Sequence, residues 1–169
     1  FLKGYKEDEF DSNYYLTRLY LESGLVLMNI DDLEKSNTYF RSALKRVEKY
    51  PELEFLYFYY RSKYYQKTQD YNKFLTALQR AINNPNGPSN LHAKVSKMLA
   101  QYYETQKADL KKADEVLMQG INNIDDIDYD SLSIKLKLLK YRLKINQNLN
   151  NINNANKINE DIKELKKRI

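Results

Sequence analysis

Residues 31–44 read DDLEKSNTYFRSAL, and in a helix of 3.6 residues per turn Leu33, Phe40, Ala43 and Leu44 fall on one face. The same pattern returns in register at Tyr71, Leu78, Ala81 and Ile82, and again at Leu110, Leu117, Gly120 and Ile121, first 38 and then 39 residues further on. That is an internal repeat. Each unit has an apolar residue, then a large one, a small one and an aliphatic one at fixed helical spacing. The small residue (Ala43, Ala81 or Gly120) lets another helix approach closely at the same point of every unit, as a stack of helical hairpins requires.

Working outward from these helices, the chain divides into four hairpins of about 40 residues, at 13–50, 52–84, 89–124 and 130–167. Ser12 or Asn13 suits the cap of the first helix, which runs to Asn29, and Asn29 to Asp32 make its turn. The second helix, from Leu33, is expected to reach Tyr50 and stop at Pro51, because proline disfavours helical backbone in the residue before it. Hairpin two turns at Thr68 to Asp70 and closes at Asn84-Pro85-Asn86-Gly87-Pro88. Hairpin three starts near Ser89 and Asn90, and its turn, Gln106 to Asp109, is one residue longer. Ile124 to Tyr129 reads as an acidic loop, with Asp130 or Ser131 capping the helix Leu132 to Ile145. The final segment, from Ile152, is a degenerate, polar helix of the kind that caps an array whose last face has no neighbour.

The helix from Leu132 carries two apolar stripes. Leu132, Leu136, Leu139 and Leu143 form one, and Ile134, Leu138, Tyr141 and Ile145 the other, on the opposite side. Two stripes mean two neighbours. Lys137, Lys140 and Lys144 occupy the strip between them and give the helix a basic edge. The fold expected is therefore all-α: a helical-hairpin repeat array of seven or eight helices forming one domain over 1–169.

Composition agrees. With 42% hydrophobic residues, 4 glycines and 3 prolines in 169 residues, the chain can hold a continuous core and has no flexible linker. It has no cysteine, which excludes thiol chemistry, disulfides and thiolate metal sites. No apolar run approaches the roughly 20 residues of a spanning helix, so no membrane is expected. Phe1 is not an initiator Met, and the chain reads as a fragment or processed product. The lack of an Asn-x-Ser/Thr sequon leans towards a cytoplasmic, intracellular setting. The net charge of +5 has two readings: attraction for acidic partners, or the heavy use of Lys, Asn, Ile and Tyr that AT-rich codons produce.

The repeats resemble the tetratricopeptide family. In unit one Tyr20, Gly24, Leu27, Ser36, Phe40 and Ala43 stand where that family favours an aromatic, Gly, an aromatic, Ala, an aromatic and Ala. Asp31-Asp32-Leu33 resembles its turn. Unit two matches through Phe58, Ser62, Tyr65, Gln69-Asp70-Tyr71, Leu78, Ala81 and Pro85; unit three through Leu99, Ala100, Tyr103, Ala113, Leu117 and Gly120. The units here exceed the usual length of about 34 residues. The resemblance implies a right-handed superhelix whose concave groove, lined by each first helix, binds protein or peptide.

Carried onto this sequence, that groove would present Arg18, Leu21, Leu25 and Met28 in unit one, Tyr59, Lys63 and Gln66 in unit two, Lys94, Lys97 and Gln101 in unit three, and Lys137, Lys140 and Lys144 in unit four. Lysines would attract an acidic guest and the amides would hydrogen-bond its backbone. The alternative is that these lysines only solvate an exposed face. A clamp for a C-terminal carboxylate is incomplete, since Met98 stands where a basic residue is needed. Leu56 to Tyr60 with Tyr64 and Tyr65, interleaved with Arg61 and Lys63, is the densest aromatic stretch. It serves core packing first, with one or two rings left for a ligand.

No HExxH, phosphate loop or serine elbow is present, so neither catalysis nor a cofactor is expected. His92, near a helix start, reads as a surface or capping residue. Asp125, Asp126, Asp128 and Asp130 lack the glycine and distal glutamate of a Ca²⁺ loop and read as a solvated loop rather than a metal site. The expectation is a scaffold for a protein or extended acidic peptide. A peptide-sensing regulatory domain ranks second and a nucleic-acid-binding repeat third.

Overall fold

The computed structural model describes residues 11–124 and 128–169. Among them are eight α-helices: α1 (Ser12–Asn29), α2 (Leu33–Val47), α3 (Pro51–Lys67), α4 (Tyr71–Asn83), α5 (Ser89–Gln106), α6 (Leu110–Asn122), α7 (Tyr129–Asn148) and α8 (Ile152–Arg168). Helices pair consecutively, α1 on α2, α3 on α4, α5 on α6 and α7 on α8, and each hairpin then packs on the next through α2 and α3, α4 and α5, or α6 and α7. This is the helical-hairpin repeat array expected. Residues 7–10 of the acidic N-terminal segment, and Asp125 and Asp126, lie outside the described residues.

The same turn closes all four hairpins. Asp31, Gln69, Ala108 and Asn150 have positive φ (66°, 60°, 49° and 54°), a left-handed backbone that ends the preceding helix. The next residue in each case, Asp32, Asp70, Asp109 or Asn151, is the cap of the following helix, its side chain accepting from the backbone N–H three residues on. Its own N–H returns to the preceding helix, at the carbonyl of Leu27, Tyr65, Tyr103 or Asn146. In hairpin three that bond reaches one residue further back, which accounts for the longer turn. The fourth hairpin is therefore complete at its turn, although its sequence is degenerate.

Several boundaries differ from expectation. Asp11, not Ser12 or Asn13, caps α1, accepting from Asn13 and Tyr14 N–H, and it also accepts from the Tyr50 hydroxyl at 2.7 Å. Asp128, not Asp130 or Ser131, caps α7 through Ser131 N–H at 2.7 Å. In both cases the aspartate stands just before the first helical residue, where its carboxylate reaches the orphan N–H groups two or three positions on. The second helix ends at Val47 rather than Tyr50, and Pro51 opens α3 instead of closing α2. At the first position of a helix the missing proline N–H costs nothing, and its fixed φ already suits the helix.

Phe40, Leu78 and Leu117 are fully buried, as are Ala43 and Ala81, and Gly120 lies in the interior with them. The first member of each repeat is more peripheral than its apolar character suggested: Tyr71 is exposed, and Leu33 and Leu110 are half-buried. They sit on the first turn, at the edge of the hairpin. Leu44 also departs from the pattern, being 44% exposed where Ile82 and Ile121 are buried, because it faces a furrow on the side of the even helices. In α7 both apolar stripes turn inward, wholly or partly, and Lys137, Lys140 and Lys144 stay outside. The last helix buries Ala155, Ile158, Ile162 and Leu165 and leaves Ile152 exposed.

His92 is not a surface residue. It is 0% exposed, with its ring 4.5 Å from that of Phe55 and its Nδ1 3.4 Å from the Asn123 side-chain amide. The 84–88 loop packs over the same Phe55, so closely that a Cβ on Gly87 would lie 2.3 Å from the Phe55 ring. Burial lowers the imidazole pKa below its ordinary value, and the Pro85 carbonyl only partly opposes this. The folded chain thus resists protonation that the unfolded chain accepts below about pH 6.5. Stability should be insensitive to His92 above that pH and fall as pH drops from about 6.5 towards the folded pKa. The capping aspartates Asp11, Asp32, Asp70 and Asp128, whose pKa values are lowered, contribute only at more acid pH. A wild-type Tm that drops between about pH 7.5 and 5.5, with a flatter profile in His92→Leu, is the expected result; parallel profiles would refute it.

Candidate functional site

The helices fall into two rows. Helix α1 packs on α3 and α5 packs on α7, whereas no two even-numbered helices make comparable contact among the described residues. Within the odd row α1 meets α3 and α5 meets α7, so these first helices approach one another across the hairpin boundaries while the second helices do not to a comparable extent.

Within that row a recurring polar contact ties first helices together. Tyr60 of α3 donates to Glu22 of α1 at 3.2 Å, and Tyr141 of α7 donates to Glu104 of α5 at 2.5 Å. Burial, reinforced by the neighbouring glutamate, pushes the Tyr60 phenol up to about 12 and raises that of Tyr141 for the same reasons. Both phenols are held as neutral donors. Lys67 adds to the first pair, capping the Met28 carbonyl at 2.7 Å and meeting Asp31 at 2.6 Å.

Between α5 and α7 lies a cleft of about 350 Å³ lined by Lys97, Gln101, Glu104, Lys137, Leu138, Tyr141 and Lys144. The helical spacing that places Lys97, Gln101 and Glu104 on one side of α5 also places Lys137, Tyr141 and Lys144 on the facing side of α7. Its single carboxylate among the described residues, Glu104, is engaged by Tyr141 and lies 3.7 Å from Lys144. Lys97 and Lys137 remain exposed and face the cleft. The chemistry available is that of a cationic rim over a floor of Leu138 and the Tyr141 ring.

Of the nine residues expected in the groove from units two to four, four (Lys97, Gln101, Lys137 and Lys144) line this cleft. Lys94 and Lys140 are exposed on the same two helices outside its lining. The remaining three stand apart on α3, which does not pack on α5 as α5 packs on α7. Among these, Tyr59 is a correction: it is only 7% exposed, its ring covered by the Lys63 ammonium at 5.7 Å. In unit one, Leu21 and Met28 are likewise core rather than groove. A helix that contacts both its hairpin partner and a neighbouring hairpin has little face left for solvent, and sequence spacing alone does not count the neighbours.

Sequence reasoning missed Glu104 and Tyr141 as a pair. The signal was present: the aligned Glu22 and Tyr60 stand at nearly the same separation. Comparison of the chain with family models, with curated proteins and with solved structures found no match.

Proposed function

We propose that this chain is a non-catalytic interaction scaffold that holds an extended, acidic protein segment along its odd-helix row, with the α5–α7 cleft as the principal contact. The observation that carries the reading is the convergence of Lys97, Lys137 and Lys144 with Gln101 around a cleft whose carboxylate, Glu104, is occupied by Tyr141. Lysines at the rim draw an acidic guest by long-range attraction, and the Gln101 amide can pair with its backbone. The repeat spacing and its resemblance to tetratricopeptide units support the same use, since stacked hairpins offer an extended inner surface. No helix among the described residues is long and apolar enough to cross a membrane.

The test is fluorescence anisotropy with a labelled peptide of alternating Glu and Leu, against the full chain and a Lys97→Glu, Lys137→Glu, Lys144→Glu variant. All three positions are exposed, so the variant should keep its helical circular dichroism. Saturable binding that weakens about a hundredfold in the variant is the expected result, corresponding to roughly 1 kcal/mol per lost attraction. Equal binding by both proteins would remove the cleft from consideration.

A further inference from the structure

Away from that cleft, a cavity of about 280 Å³ opens between α2, α3 and α4, lined by Leu44, Tyr57, Phe58, Arg61, Tyr65, Lys73, Thr76, Ala77 and Arg80. Its floor is the aromatic stretch of α3. Three of the lining residues are cations, and among the described residues that line it none is a carboxylate.

Arg61 is the residue at its centre. It is only 9% exposed, and its guanidinium lies 4.8 Å and 4.4 Å from the ring centroids of Tyr64 and Tyr65 and 5.7 Å from that of Phe40. One terminal nitrogen donates to the Asn37 side-chain carbonyl at 2.7 Å and the other to the Tyr65 hydroxyl. Both partners are neutral, and among the described residues the buried Nε has none. A guanidinium taken out of water without a counter-charge is costly, and an anion arriving beside it recovers that cost. Arg80 stands at the outer edge, its guanidinium 5.2 Å from the Phe58 ring. Lys73, paired with Asp70 at 2.7 Å, closes the other side over Tyr65. The Tyr57 phenol is close enough to both arginines for their charges to act on it, and burial, the larger effect, raises its pKa and keeps it protonated. It is a ready donor.

We propose that this cavity is a binding site for a phosphate monoester carried on an aromatic body. Arg61, Arg80 and the Tyr57 hydroxyl, with Lys73 and its Asp70 partner at the rim, supply two arginine charges and several donors, which match a dianion with three acceptor oxygens. Leu44, Phe58, Thr76 and Ala77 supply apolar walls beside those donors, enough to take a ring. The exposure of Leu44, which breaks the repeat pattern, is what leaves that wall open. The ester comes either from a phosphorylated tyrosine of another chain or from a free aryl phosphate.

The experiment is a titration of the full chain with phenyl phosphate, with inorganic phosphate and with a tetrapeptide containing phosphotyrosine, followed by two-dimensional amide NMR. Phenyl phosphate should saturate below ~10 mM and shift the amides of Leu44, Thr76 and Ala77. Arg80→Met and Tyr57→Phe, both conservative in volume and outside the Arg61 stack, should each weaken binding about tenfold while the melting temperature stays close to wild type. A phosphotyrosine peptide that binds more tightly than phenyl phosphate supports the site with a protein segment as its source, and equal binding supports it with a small molecule. Inorganic phosphate binding as well as phenyl phosphate would overturn the aromatic assignment. No saturation, or binding unchanged in both variants, would overturn the site. The triple Lys→Glu variant of the α5–α7 cleft should bind phenyl phosphate normally, so failure of one site leaves the other standing.

Discussion

Asp114→Ala should destabilise the protein by about 3 kcal/mol, because it leaves a largely buried arginine without its counter-charge. Asp114 of α6 accepts from Arg142 Nε at 2.7 Å and from its Nη2 at 3.3 Å. The same carboxylate accepts from the Asn146 side chain at 2.5 Å, and Asn146, fully buried in α7, accepts in turn from Asn154 of α8 at 2.6 Å. Four side chains thus join three helices. Removing the carboxylate strands the Arg142 guanidinium, 13% exposed, and frees one Asn146 donor. Asp114→Asn keeps the volume and one acceptor and should cost roughly half as much. Replacing both ends, Asp114→Leu with Arg142→Met, should recover much of the loss, since an apolar pair needs no compensation. Urea denaturation gives the stabilities, and hydrogen exchange of α8 amides shows whether the loss falls on the last hairpin, as nearest-neighbour coupling in an array requires. A change below about 0.5 kcal/mol for Asp114→Ala would show that the network is satisfied by solvent.

Gly120→Ala should also destabilise, by a net of about 2 kcal/mol, although alanine is the better helix former by about 1 kcal/mol. A Cβ at Gly120 would lie 1.8 Å from Ser96 Oγ and 2.5 Å from Ser96 Cβ. Rotating the Ser96 hydroxyl relieves the first contact and leaves the second, so α5 and α6 must separate. The Ser96 hydroxyl already returns to the His92 carbonyl at 2.8 Å, which fixes its rotamer. For a chain of this size the expected fall in Tm is roughly 4–8 °C. Ser96→Gly removes the atoms in the way, and in that background Gly120→Ala should become neutral or stabilising. A Tm that does not fall in the single variant would mean that the helices part without cost.

The contrast between Gly120 and Leu44 shows what the repeat pattern could and could not convey. Both belong to the same sequence register. Gly120 behaves as its position demanded, because close helix approach depends on the partner within the hairpin, which is always present. Leu44 does not, because its burial depends on how far the next hairpin is rotated away. The polar network of the last hairpin was equally hidden: Asn146 and Asn154 look like solvated residues in the sequence and are joined inside the fold.

By itself the sequence determined the helices, their order, the hairpin turns and the small residues at which helices meet. These follow from short-range periodicity, caps and backbone preferences that are carried in adjacent residues. It also marked Lys97, Gln101, Lys137 and Lys144 for one face. Tertiary structure alone decided that Tyr59 and His92 are interior, that Glu104 is held by Tyr141, and that Arg61 is buried among rings with neutral hydrogen-bond partners. Each of these depends on which hairpins touch and at what angle, and that geometry is set by packing between side chains nearly 40 positions apart, where local pattern has no reach.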